Sequence, residues 1–84
     1  MVNKMVRFKI PKSRVKDIIE KFGNIALIDE EDEYTIISVP EELRWKIYEY
    51  LLSKVEVFYV IERGYEGDWY FNPYTGEKFL KKRE

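Results

Sequence analysis

Three stretches of the chain predict an α+β domain. Val6-Arg7-Phe8-Lys9-Ile10 alternates apolar and basic residues with the two-residue period of a strand buried on one side. Val15, Ile18, Ile19 and Phe22 then fall at the i, i+3, i+4, i+7 spacing of a helix stripe. Val55 to Ile61, Val-Glu-Val-Phe-Tyr-Val-Ile, is the densest run of β-branched and aromatic residues, set off by Lys54 and Gly64. It reads as a central or near-central strand.

The remaining elements follow in order. Pro11 ends the first strand, Ser13 is the expected N-cap of a helix Ser13 to Phe22, and Gly23 is its stop. Asn24 opens a second strand, Ile25 to Ile28, and Tyr34 to Val39 forms a third. The acidic run Asp29 to Glu33 joins them as a hairpin loop. Pro40, Glu41 and Glu42 suit the first turn of a second helix that runs to about Ser53. Its apolar surface is wide: Leu43, Ile47, Tyr50 and Leu51 form one stripe, and Trp45, Tyr48 and Leu52 continue it.

With the Val55 to Ile61 strand the order becomes β-α-β-β-α-β. It resembles a ferredoxin-like antiparallel sheet with both helices on one face and the first and third strands central. Val55, Val57, Tyr59 and Ile61 are expected to face the helices. That places Phe58 and Val60 on the open face beside Arg7 and Lys9. After Gly64, Pro73 and Gly76 mark the turn of an aromatic β-hairpin with arms Trp69 to Phe71 and Glu77 to Leu80. The whole chain, 1–84, is expected to be one domain: a core over 5–63, a hairpin extension over 64–80 and a charged, solvated tail over 81–84.

Trp69-Tyr70-Phe71-Asn72-Pro73-Tyr74-Thr75-Gly76 resembles the second hairpin of a WW domain and the hairpins of bacterial cell-wall-binding repeats. The shared part is turn chemistry. Leu80 stands where a WW domain carries its ligand-stacking tryptophan, so no site residue carries over.

Composition narrows the function. Cysteine and histidine are absent, which excludes disulfides, thiolate chemistry and imidazole catalysis. Fifteen basic and sixteen acidic residues nearly cancel to a formal net charge of −1, a mixed surface rather than a field that gathers nucleic acid. Abundant Glu, Lys, Ile, Val and Tyr with three Asn and no Gln is the composition of a thermophile, expected to be archaeal. No apolar run reaches the length of a membrane span and no signal-peptide core is present, so a cytoplasmic protein is expected. Met1 and Met5 both serve as possible starts, with residues 1–4 a short leader.

No catalytic motif, cofactor site or metal site is expected. The acidic run lacks the glycine and spaced ligands of a calcium loop. Arg63, Tyr65 and Glu66, or Lys12, Ser13 and Arg14, would have to share a cleft to resemble a small nuclease-type toxin. The chain is instead expected to be a non-catalytic interaction module that self-associates as a homodimer or binds another protein, with no membrane partner. Its expected interaction residues are Trp45, Tyr48, Leu52, Phe58, Val60, Trp69, Phe71 and Phe79, since interface cores are rich in such rings. The alternative is nucleic-acid binding through Arg7, Lys9, Lys12 and Arg14.

Overall fold

The computed structural model describes residues 4–23 and 25–83. Met1 to Asn3 of the expected leader, Asn24 at the expected opening of the second strand, and Glu84 lie outside the described residues. The elements are β1 (Met5–Pro11), α1 (Lys12–Phe22), β2 (Ala26–Glu31), β3 (Tyr34–Pro40), α2 (Arg44–Ser53), β4 (Tyr59–Arg63), β5 (Gly67–Phe71) and β6 (Lys78–Lys82). The fold is α+β: one six-stranded sheet in the order β2-β3-β1-β4-β5-β6, every neighbouring pair antiparallel. The expected four-stranded sheet with a separate hairpin is thereby corrected, because β5 and β6 extend the same sheet outward from β4.

Val6, Phe8 and Ile10 of β1 and Ile37 and Val39 of β3 share one face and form the main core with Ile18 of α1 and Ile47 and Leu51 of α2. Both helices therefore lie on that face, and α1 has the predicted stripe in part: Ile18 is buried and Val15 and Phe22 pack against the core, whereas Ile19 is 39% exposed. The start of α1 differs. Pro11 occupies the N-cap position without a side-chain hydrogen bond, and Ser13 lies inside the first turn. Gly23, at φ 64°, stops α1 as predicted by donating its N–H to the Ile19 carbonyl at 2.9 Å. The second helix opens with a 3₁₀ turn, Glu41–Leu43, before α2.

The Val55 to Ile61 stretch departs most from expectation. Its first residues cap α2: Val55 donates to the Leu52 carbonyl at 3.1 Å and Glu56 to the Leu51 carbonyl at 3.2 Å, with Val55 at φ 56°. That is the Schellman arrangement, with valine at the position glycine usually holds. Only then does the chain enter β4, whose pairing sets Val60 opposite Phe8. Phe58 and Val60 are accordingly buried in the main core, while Tyr59 and Ile61 face away from the helices. The expected orientation is inverted by one residue, the smallest slip that exchanges the two faces of a strand.

The acidic run is also partly strand. Asp29, Glu30 and Glu31 pair with Ile36, Thr35 and Tyr34 after a bulge at Leu27/Asp29, leaving Asp32 (φ 52°) and Glu33 as a tight turn. The second hairpin carries the predicted left-handed Gly76 (φ 82°). Asn72 is buried beneath the turn, where its Oδ1 accepts the Tyr74 N–H at 2.8 Å and the Thr75 N–H at 3.3 Å.

Candidate interaction face

Strand register decides which side each aromatic residue takes. On the helix side, Val60, Phe71 and Lys78 form one cross-strand row over β4, β5 and β6, and Glu62, Trp69 and Leu80 form the next. α2 borders this region through its Arg44–Tyr48–Leu52 edge. Arg44 Nη2 donates to Glu62 Oε1 of β4 at 3.3 Å, and Tyr48 packs edge-on against Phe58 with ring centroids 5.8 Å apart. Trp45 lies on Tyr48 at 5.1 Å, with the Arg44 guanidinium 5.4 Å from the Trp45 ring.

This region leaves several large apolar side chains in water. Trp45 is 70% exposed, Trp69 38% and Phe71 36%, with Leu52 and Val57 also exposed. The cause lies in the element count: two helices cover the part of the sheet around β1 and β3, and β5 and β6 extend beyond them. Lys78 Nζ stands 5.2 Å from the Trp69 ring, so one base and one acid, Lys78 and Glu62, flank the apolar centre.

The opposite face closes on itself. Glu31 of one edge strand reaches both Lys9 of β1 (3.1 Å) and Lys81 of the other edge strand (3.4 Å), which requires a strongly curled sheet. Ile36, Ile61 and Tyr70 are buried in its hollow as a second small core. The Lys9 ammonium sits 5.2, 5.9 and 5.8 Å from the rings of Tyr34, Tyr59 and Tyr70. Phe79 stacks on Tyr70 at 5.2 Å and so belongs to this face, apart from Trp69 and Phe71. The Lys9 hydrogen bond, reinforced by Lys81, holds the Glu31 carboxyl below its ordinary value. Arg7 does the same for Asp68, and Arg83 adds to it. Burial raises the phenols of Tyr59 and Tyr70.

Of the expected interaction residues, Trp45, Leu52, Trp69 and Phe71 are exposed on the helix side, with Tyr48 half-buried behind Trp45. Phe58 and Val60 belong to the core, and Phe79, 38% exposed, lies on the curled face. Sequence reasoning passed over Leu80, whose place beside Trp69 follows from the register of β6. The four cations of the nucleic-acid alternative do not gather. Arg7 pairs with Asp68 (3.1 Å), Lys9 with Glu31 (3.1 Å), Lys12 with Glu30 (4.0 Å) and Arg14 with Glu56 (3.0 Å).

Tyr65 is fully exposed and neither it nor Glu66 joins Arg63 in the cavity that Arg63 lines, so the Arg63–Tyr65–Glu66 grouping is not assembled. Lys81 and Lys82, expected in a solvated tail, belong to β6, and Arg83 Nη2 donates to the Gly64 carbonyl at 3.0 Å. Among the described residues no group of three or more acids is placed to hold a metal ion, and no helix is long and apolar enough to cross a membrane. No family model, curated protein or solved structure matches this chain.

Proposed function

We propose that the chain is a small, non-catalytic, cytoplasmic protein-interaction module of a thermophile, and that it pairs with a second copy of itself through the helix side of β5 and β6 and the Trp45 edge of α2. The observation that carries this reading is the register that sets Trp69, Phe71 and Leu80 on the helix side of the sheet, beyond the reach of either helix. Trp45, Trp69 and Phe71 together leave roughly 300 Å² of residue surface in water, on either side of the Arg44–Glu62 pair. A standard interface needs about 800 Å² per partner, which the flanking Leu52, Leu80, Glu62 and Lys78 extend the patch toward.

A second copy suits a patch whose rim carries Lys78 together with Glu62, an acid that Arg44 pairs within the chain. Two-fold pairing apposes the same patch to itself, and opposite charges on one patch can then meet across the axis. The order β2-β3-β1-β4 supports reading the first four strands and two helices as a ferredoxin-like unit to which β5 and β6 add the interaction surface.

Sedimentation equilibrium on two single variants tests the assignment of faces. Phe71→Lys is expected to weaken dimerisation at least tenfold, a loss of about 1.4 kcal/mol. Phe79→Lys, on the curled face, is expected to leave it unchanged. The reverse result would move the interface to the curled face.

A further inference from the structure

We infer that the fork between β1 and β4 is a binding site for the phosphoryl group of a small phosphomonoester. The two strands pair at Lys9↔Tyr59, Phe8↔Val60 and Arg7↔Ile61 and no further, although β1 continues to Met5 along β3 and β4 continues to Arg63 along β5. Where they part, a cavity of about 610 Å³ opens, within the range of small-molecule sites.

Its charge is one-sided. Lys4, Arg7, Arg44, Arg63 and Arg83 line it against Glu62 and Asp68, five cations to two carboxylates, a formal excess of three positive charges. Both carboxylates are already engaged, Asp68 by Arg7 (3.1 Å) and Arg83 (3.8 Å), and Glu62 by Arg44 (3.3 Å). One cation is left over. Lys4 pairs with Glu41 at 3.9 Å, whereas among the described residues Arg63 is exposed and has no acid within ion-pair distance. An unpaired guanidinium at the rim of a cationic recess is free to take an anion.

A phosphomonoester fits these demands. Its dianion answers most of the positive excess, and its oxygens match the planar fork of donors on a guanidinium. The recess between two diverging strands accepts a terminal group more readily than a continuous phosphodiester backbone. This site shares Arg44 and Glu62 with the rim of the proposed dimer surface, while Arg63, which carries the test, lies on the opposite face of β4.

Calorimetric titrations at fixed ionic strength test the inference, with inorganic phosphate, adenosine 5′-monophosphate, adenosine and an oligothymidylate lacking terminal phosphates as probes. Saturable binding of phosphate and the monophosphate is expected, with none for adenosine. Arg63 is exposed and free of ion pairs among the described residues, so Arg63→Gln keeps the fold; it is expected to weaken both ligands about tenfold or more. Arg14→Gln, at the Glu56 pair on α1, is expected to leave the affinities unchanged. No saturable binding of phosphate, equal affinity in Arg63→Gln, or tighter binding of the oligothymidylate than of the monophosphate would each overturn the inference.

Discussion

Val55→Gly is expected to stabilise the protein. Val55 takes the left-handed conformation (φ 56°) at the end of α2, where the cap bonds to the Leu52 and Leu51 carbonyls require it. A non-glycine residue there costs about 1–3 kcal/mol, and a β-branched one belongs near the top of that range. Against about 2.5 kcal/mol of released strain stand two losses. Glycine adds about 0.5–1 kcal/mol of unfolded-state entropy. The valine side chain is 64% exposed, so deleting it forfeits only about 0.5 kcal/mol of burial. The net gain is about 1 kcal/mol, or about 4–8 °C in Tm for a domain of this size. Thermal unfolding followed by circular dichroism measures it. Val55→Ala, which removes the branching but keeps a Cβ, should fall between the two. A Tm for Val55→Gly equal to or below that of the parent would refute the strained cap.

Two further perturbations probe the sheet. A Cβ at Gly67 would run into the backbone carbonyl of Lys81 and the Lys82 Cα, so Gly67→Ala should lose about 1–3 kcal/mol and speed hydrogen exchange in β6; an unchanged Tm would contradict that close approach. The Glu31 and Asp68 carboxyls are held below their ordinary values, so the stability they contribute is present above the usual carboxylate range near pH 4 and is lost as pH falls through their lower folded values. Glu31→Gln should therefore be less stable than the parent at pH 7 and approach it at about pH 2, and an identical pH slope in the two proteins would remove Glu31 from this role.

How far the sequence could be read depended on whether one local pattern admitted one outcome. β1 and α1 have a single apolar phase each, and both formed where that phase puts them. Val55 to Ile61 has two: Val55, Val57, Tyr59 and Ile61 make one apolar face, Phe58 and Val60 most of another. The choice fell to the α2 cap, which consumes Val55 and Glu56 before β4 begins. Asp29 to Glu31 looked like a loop because acids disfavour strands, yet β3 offers them a partner and Lys9 and Lys81 neutralise Glu31. The curl that brings Glu31 to Lys81 across the sheet is a cumulative property of six twisted strands and leaves no mark in any window of sequence. For the same reason the exposed Trp45, Trp69 and Phe71 were legible as aromatic residues in need of a cover, whereas the inclusion of Leu80 and exclusion of Phe58, Val60 and Phe79 required the register.

Self-association through the helix side of β5 and β6 with the Trp45 edge of α2 is tested by the solution mass from light scattering over a wide concentration range. A mass rising to about twice that of the 10.3 kDa chain is expected. A mass of one chain at every concentration would contradict it.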